Sequence, residues 1–384
     1  MYRAMAAVAA VVLVLFCLLV LAVGREYITY DNLTYLARDF DLHMLDAAYE
    51  AAVVNYARHE TLQFAPYKTG MAVAGTDVLT IYDSAGIVLT TDTLNYTSPC
   101  LSVSGKYVLT YDLGGKSYAI YNTLTRVVKR DTDFKILCAD MSDNGAYVLV
   151  TRSNETKYVV QLYNEALNHT MSIYKDHYVM DASIREDGQR VVIVSAIPGE
   201  TDFSCEVSLC AAGVAEPLLT TTYGGLMPLQ AEFHPDGSFT VLCDGAVLFF
   251  DAEGNQVGRY SLTGMTLVSA DMADGYVALV GAENALGSEN RVVVLDTDGN
   301  ILLSQMYRER MRRVSVNTDG ALCAVLTPGA VLSMDEGGIC KTYTLADDDV
   351  LTICRSSHGI MVCTKDCMYP AVFADTEETE IAAS

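Results

Sequence analysis

Tryptophan is missing from all 384 residues. That absence weighs against repeat families built around it, WD repeats and quinone-cofactor proteins among them. Basic side chains are scarce: 25 Lys and Arg face 48 Asp and Glu, for a net charge of −23. Such a surface excludes nucleic acid and anionic head groups as natural partners. The one basic cluster is Arg308, Arg310, Arg312 and Arg313, with Glu309 among them. It reads as a solvated strand end or loop. The six histidines, His43, His59, His169, His177, His234 and His358, form no H-E-x-x-H array. There is no G-x-S-x-G elbow, and Gly114-Gly115 and Gly224-Gly225 lack the Lys and helix of a phosphate loop. A hydrophobic fraction of 51% against 19% charged excludes disorder as the main state.

Cysteine is present but without a framework. Of eleven, Cys17 falls in an apolar run, and the other ten show no disulfide-scaffold spacing. Cys243, Cys323 and Cys363 sit in strand-like apolar segments, where a thiol serves as a small hydrophobe. Cys363-Thr-Lys-Asp-Cys367 has a metal-like gap but no second Cys or His pair to complete a zinc site. Cys363–Cys367 and Cys205–Cys210 are the spacings a local disulfide would fit. Thiols that stay reduced outside the membrane would fit an anaerobic cell.

Ala4 to Val23 is a run of twenty apolar residues. At 1.5 Å per helical residue, about 20 residues span a ~30 Å hydrocarbon core. Arg3 precedes the run, while Arg25 and Glu26 after it cancel, so the N-terminus is expected in the cytoplasm and the rest outside. A cleaved signal peptide, with Ala22-Val23-Gly24 at its end, is the competing reading; its apolar region is normally only about 7–15 residues. The expected divisions are an anchor over 1–26, a short helical linker over 27–50, the main domain over 51–375 and a polar tail over 376–384. With three residues before the anchor, inward signalling is not expected.

From about residue 60 one pattern recurs: a short alternating strand, a turn ending in Gly, then a β-branched and aromatic run. CLSVSGKYVLTYD at 100–112, CADMSDNGAYVLVT at 138–151, DASIREDGQRVVIV at 181–194 and QAEFHPDGSFTVLC at 230–243 show it clearly. The turn glycines are Gly70, Gly105, Gly145, Gly188, Gly237, Gly275, Gly320 and Gly359, spaced by 35 to 49 residues, about 41 on average. Asp-Gly pairs such as Asp274-Gly275 predict tight hairpins through positive φ. A second hairpin follows in each unit, as in VLFFDAEGNQVGRYS at 247–261 and VVVLDTDGNILLS at 292–304. Two hairpins per roughly forty residues is the period of a four-stranded propeller blade. The fold class is therefore all-β, a β-propeller of four-stranded blades after one N-terminal transmembrane helix. The last unit lacks an outer strand, which AAVVNYA at 51–57 could supply. Eight blades closed that way are favoured over seven plus a terminal hairpin.

The apolar N-terminus, YDNLTYLARDFD at 30–41, TIYDSAGIVL at 80–89, SPCLSVSGKYVLTYDLGGKSYAIYN at 98–122 and VMDASIREDGQRVVIVSA at 179–196 together resemble an uncharacterised clostridial family, a domain of unknown function, of single-pass propeller-type proteins. The resemblance implies the anchor and the propeller. It carries no activity and no catalytic residues.

Other candidate chemistry has a plainer reading. Asp296-Thr-Asp298-Gly-Asn300 resembles part of a calcium loop, but a strand follows where further ligands would be needed, so a hairpin turn is expected. Asp347-Asp348-Asp349 reads as an acidic interblade loop. The 24 tyrosines fit strand packing, with some available to line a channel mouth and stack on sugars. No catalytic, cofactor-binding or metal residue is assigned. The expected function is a membrane-anchored, extracytoplasmic binding or scaffolding module, with an envelope protein or glycan as partner. The alternative is an envelope glycan- or peptide-processing enzyme using carboxylates at the channel.

Overall fold

The computed structural model describes residues 53–375, apart from 59–60, 215, 317–320, 347–348 and 357–358, together with Tyr30, Leu33 and Thr34. The apolar run 4–23 and the tail 376–384 lie outside the described residues. Of the linker expected at 27–50, only Tyr30, Leu33 and Thr34 are described, and they are helical.

Eight antiparallel sheets follow one another along the chain. Their innermost strands, in order, are Gln63–Tyr67, Pro99–Val103, Ile136–Met141, Tyr178–Ile184, Pro228–Phe233, Thr266–Ala273, Arg313–Val316 and Val350–Ser356. These define blades 1 to 8. Inner strands touch from blade 1 to blade 5, from blade 6 to blade 8 and from blade 8 back to blade 1, and the Leu242, Phe249, Met272 and Leu279 cluster packs blade 5 on blade 6, so the sheets close into a ring. The expected eight-bladed, all-β architecture is the one observed.

Residue choice explains each layer. The second strands Gly70–Ala74, Val108–Asp112, Phe239–Cys243 and Cys323–Leu326 are buried at every position. A strand covered on both faces reads as a continuous apolar run rather than an alternation. Outer strands such as Leu219–Gly224 alternate between partly buried and exposed residues, as a half-solvated edge requires. The core is accordingly divided into eight hydrophobic clusters, one in each seam between neighbouring blades.

Ring closure uses the segment the last unit called for. Val54–Asn55 pairs with Met368 and Cys367, becoming the outer strand of blade 8. The Tyr56 N–H donates to the Asp366 carbonyl at 2.9 Å. Arg58 adds an exposed ion pair to Asp349. The chain then doubles back, and Ala374–Asp375 adds a fifth strand to blade 7.

The turns differ from expectation in two ways. Asp274-Gly275 is a two-residue hairpin with both residues at positive φ, 50° and 83°, between paired Ala273 and Tyr276. The turns at Asp187-Gly188 and Asp236-Gly237 are longer: only the Gly is at positive φ, and its N–H closes onto Arg185 or His234 three residues back. Gly70 is not at positive φ at all; Lys68 takes that conformation. Gly70 is required by crowding, since a Cβ there would lie 2.0 Å from the Tyr82 carbonyl oxygen.

If closure is as described, a charge at Val54, buried at 7% exposure, opens the seam between blades 8 and 1. Val54→Asp is expected to cost about 2–4 kcal/mol in denaturant unfolding. It should also accelerate amide exchange in Cys367–Pro370 selectively. Val53→Asp, at an exposed neighbour, should do neither.

Candidate functional site

The inner strand of a blade has one unpaired edge, whose backbone N–H groups need acceptors. Here the preceding blade supplies them. Ser102 Oγ accepts from the Met141 N–H at 3.0 Å and donates to Asp140 Oδ1 at 2.9 Å. Asp140 Oδ2 accepts from the Ile184 N–H at 2.9 Å and from Ser183 Oγ at 3.1 Å. Asp181 Oδ2 accepts from the Ala231 N–H at 3.0 Å. Across the ring, Ser269 Oγ takes the Val314 N–H at 3.2 Å, and Asp271 Oδ2 takes the Val316 N–H at 2.8 Å and Ser315 Oγ at 3.2 Å. Ser102, Asp140, Ser183, Glu232, Asp271 and Ser315 occupy the same position in successive inner strands of blades 2 to 7.

Glu232 breaks the pattern. Its carboxylate has no hydrogen bond among the described residues. Asp140, Asp181, Glu232 and Asp271, from blades 3 to 6, thus form an acidic wall in the throat of the ring. Each is partly exposed to the channel and walled by protein elsewhere. Confinement raises the pKa of all four. Asp181 is pushed up to about 6, by burial first and then by Asp140, against the pull of the Ala231 N–H. Glu232 rises well above the usual carboxylate range, through burial and then the charges of Asp140, Asp181 and Asp271, with Arg355 opposing.

The opposite wall is basic. Arg313 and Arg355 line a cavity of about 550 Å³ with Gln63, Asp271, Thr352 and Cys354, drawn from blades 1, 6, 7 and 8. Arg355 is ion-paired with Asp274 at the blade 6 hairpin. The cluster at 308–313 is thus loop at Arg308 and Arg310, as expected, but its last member belongs to the channel.

One end of the channel carries apolar side chains. Register shifts mark β-bulges in the inner strands of blades 3, 4, 5, 6 and 8, and the residues at the shifts are Leu137, Met180, Leu229, Val268 and Leu351. Met180, Leu229 and Val268 are 38%, 37% and 40% exposed. These residues lie near the start of their inner strands, at one rim of the ring, where Val268 borders a pocket with Asn284, Leu286 and Arg312.

The remaining sequence candidates do not converge here. Asp296 Oδ1 accepts the N–H groups of Asp298 and Asn300, and its Oδ2 accepts from Asn300 Nδ2, so the calcium-like segment is a hairpin turn, as expected. His234 is buried in its turn, with Nε2 2.8 Å from Thr240 Oγ1. His169 and His177 lie on blade 3 and just after it, and His43, His59 and His358 are outside the described residues. The prominent tyrosine cluster is in the seam between blades 2 and 3 rather than at the channel mouth: Tyr147 stacks on Tyr163 at 4.2 Å and meets Tyr118 at 6.1 Å. Neither local disulfide is present, as both pairs are free thiols. Cys205 and Cys210 sit five residues apart on one extended strand, facing opposite sides, and cannot meet.

Fold and channel together define an eight-bladed β-propeller with four-stranded blades and a charge-divided axial channel. Residues 47–369 match a family of unknown function, DUF5711, and the chain belongs to it. No curated protein matches the sequence. Among solved structures, the C-terminal WD40 domain of Sif2 is similar with a TM-score of 0.61 at 14% identity, covering 84% of this chain and 98% of that one. A eukaryotic initiation factor gives 0.56 at 14% identity, covering 82% and 83%. The propeller domain of Cps50 (Swd1) from Myceliophteria thermophila gives 0.51 at 10% identity, covering 84% and 99%. These likenesses describe the fold.

The acidic wall sets a pH dependence. Asp181 has a folded pKa above its unfolded value, so its unfavourable contribution is complete above about pH 6 and is relieved as pH falls toward 4. Asp181→Asn keeps an acceptor for Ala231 and removes the charge. It is expected to stabilise the fold at pH 8 by up to about 3 kcal/mol, with the gain vanishing near pH 4. Melting curves of both proteins across that range check it. His234 acts oppositely: burial lowers its pKa, so it favours folding at high pH. The difference between wild type and variant cancels it.

Proposed function

We propose that this chain is a membrane-anchored, extracytoplasmic binding or scaffolding module that docks a cell-envelope partner at the channel mouth. The apolar run 4–23 would hold it at the membrane with the propeller outside. The observation that carries the docking surface is the collar of exposed Met180, Leu229 and Val268 on inner strands, beside an acidic wall. Apolar side chains ringed by charge are what a protein partner buries. The wall selects a partner segment bearing cations. Asp140, Asp181 and Asp271 are engaged by the adjacent blade's backbone, which favours binding over catalysis.

A second reading follows from Glu232, whose raised pKa and unbonded carboxylate would suit a general acid acting on an envelope glycan or peptide.

Photo-crosslinking separates them. A crosslinking residue at Leu229 or Met180 of the full chain in native membranes is expected to capture one and the same protein. A probe at Val257, exposed on the outer strand of blade 5, should not. Leu229→Asp should reduce capture about tenfold or more. Equal labelling from Val257, or no capture from the collar, overturns the docking reading. Turnover of an envelope glycan that is lost in Glu232→Gln would establish the second.

A further inference from the structure

We propose that Cys354, Cys363 and Met71 form a binding site for a soft, thiophilic cation of the Cu(I) class, entered from the axial channel. Cys354 occupies, in blade 8, the inner-strand position that holds Ser102, Asp140, Ser183, Glu232, Asp271 and Ser315 in blades 2 to 7. Ser102, Asp140, Ser183 and Asp271 at that position accept from the next blade's backbone. The Cys354 sulfur instead faces two other sulfurs: Cys363 Sγ at 3.4 Å and Met71 Sδ at 3.9 Å. Cys363 comes from the second strand of the same blade and is fully buried, while Met71 comes from blade 1 and is 3% exposed. The three sulfurs therefore straddle the seam where the ring closes.

Geometry and ligand chemistry agree on the class of ion. With metal–sulfur bonds near 2.3 Å, sulfurs sharing one ion lie about 3.8–4.0 Å apart. The observed separations need only a few tenths of an ångström of adjustment. Two thiolates and a thioether select Cu(I) over harder ions. A cysteine pair destined for a disulfide gains nothing from the thioether. Access is built in: Cys354 lines the 550 Å³ cavity beside Thr352 and Arg355. Asp271 lines the same cavity and sets a carboxylate against the Arg313 and Arg355 charges there. Binding one ion replaces the two thiol protons, which leave to solvent, so uptake is proton-coupled. Because the ligands come from both sides of the seam, the ion stabilises the closed ring.

The test uses the full chain, solubilised in detergent, fully reduced and held without oxygen. It is titrated with Cu(I) against a coloured chelating competitor. The expected result is one tightly held Cu(I) per chain, with a rise in melting temperature. Cys354→Ser carries the residue other blades use at this position, so it should fold normally. It should bind at least about 100-fold more weakly, since even outer-shell changes cost about 10–100-fold. Met71→Leu should lose about tenfold, and Cys210→Ser, in the seam between blades 3 and 4, should lose nothing. Retention of one Cu(I) by Cys354→Ser within about threefold of wild-type affinity overturns the proposal. So does a reduced protein that takes no Cu(I) but loses two hydrogens on exposure to oxygen to link Cys354 with Cys363. That result would make the pair a redox couple instead.

Discussion

Each blade is apolar on both faces, and no blade can be stable without two neighbours. That requirement governs the architecture. Four-stranded sheets with fully buried second strands, such as Val108–Asp112 and Phe239–Cys243, leave no face for water. Placing them in a ring gives one hydrophobic cluster per seam and no open end. A chain has two ends, however, so one blade must be completed by pairing residues distant in sequence. Val54–Asn55 does this with only two paired residues. Its length is sufficient because it is not alone: Val54 and Met368 enter the same seam cluster as Met71, Val73 and Cys363, and Tyr56 and Arg58 extend the junction outward.

A second constraint follows from the first. Stacking blades around an axis leaves eight inner edges with unpaired N–H groups, in a space too narrow to hydrate them freely. At blades 3, 4, 5 and 7 the chain answers with short polar side chains of the preceding blade that accept from these N–H groups. Serine does so without charge. Aspartate does so more strongly but confines negative charge: burial raises the pKa of all four carboxylates in blades 3 to 6, and neighbouring carboxylates add to the rise at Asp181 and Glu232. The stitching that orders the ring and the field inside its channel therefore have one origin.

Much of this was legible in the sequence, because the blade is a local unit. The turn rhythm, the second hairpins and the spare strand at 51–57 all depend on residues near one another in the chain, and blade number followed from them. Turn details were less legible: Asp-Gly predicts a tight hairpin through positive φ, which holds for both residues at Asp274-Gly275 but only for the glycine in the longer turns at Gly188 and Gly237. The channel was largely hidden. Asp140, Asp181, Glu232 and Asp271 are roughly forty or fifty residues apart, and nothing local says they face one axis. A signal did exist, in the alignment of CADM, DASI, QAEF and SADM within successive repeats. Absence of tryptophan is no obstacle to the fold: the WD40 domain of Sif2 shares it at 14% identity, since packing of β-branched faces does not depend on one residue type.

The eight seams are alike in plan and unlike in chemistry, and the differences fall where the ring has most freedom to vary. Seams 2–3, 3–4 and 6–7 are joined at the axis by Ser–Asp side-chain hydrogen bonds, next to bonds from backbone N–H groups to the same side chains. At seam 5–6, Glu232 reaches the same place with a longer side chain and takes no donor. At seam 8–1, the position passes to Cys354 and the neighbouring core turns to sulfur: Met71, Met361, Cys363 and Met368. Sulfur side chains are adaptable fillers, suited to a seam that borders the blade built from both ends of the chain. The same substitution removes a hydrogen-bonding oxygen from the axis and puts a soft donor in its place. Closure of the ring and specialisation of its channel therefore meet at blade 8, whose outer strand comes from the other end of the chain.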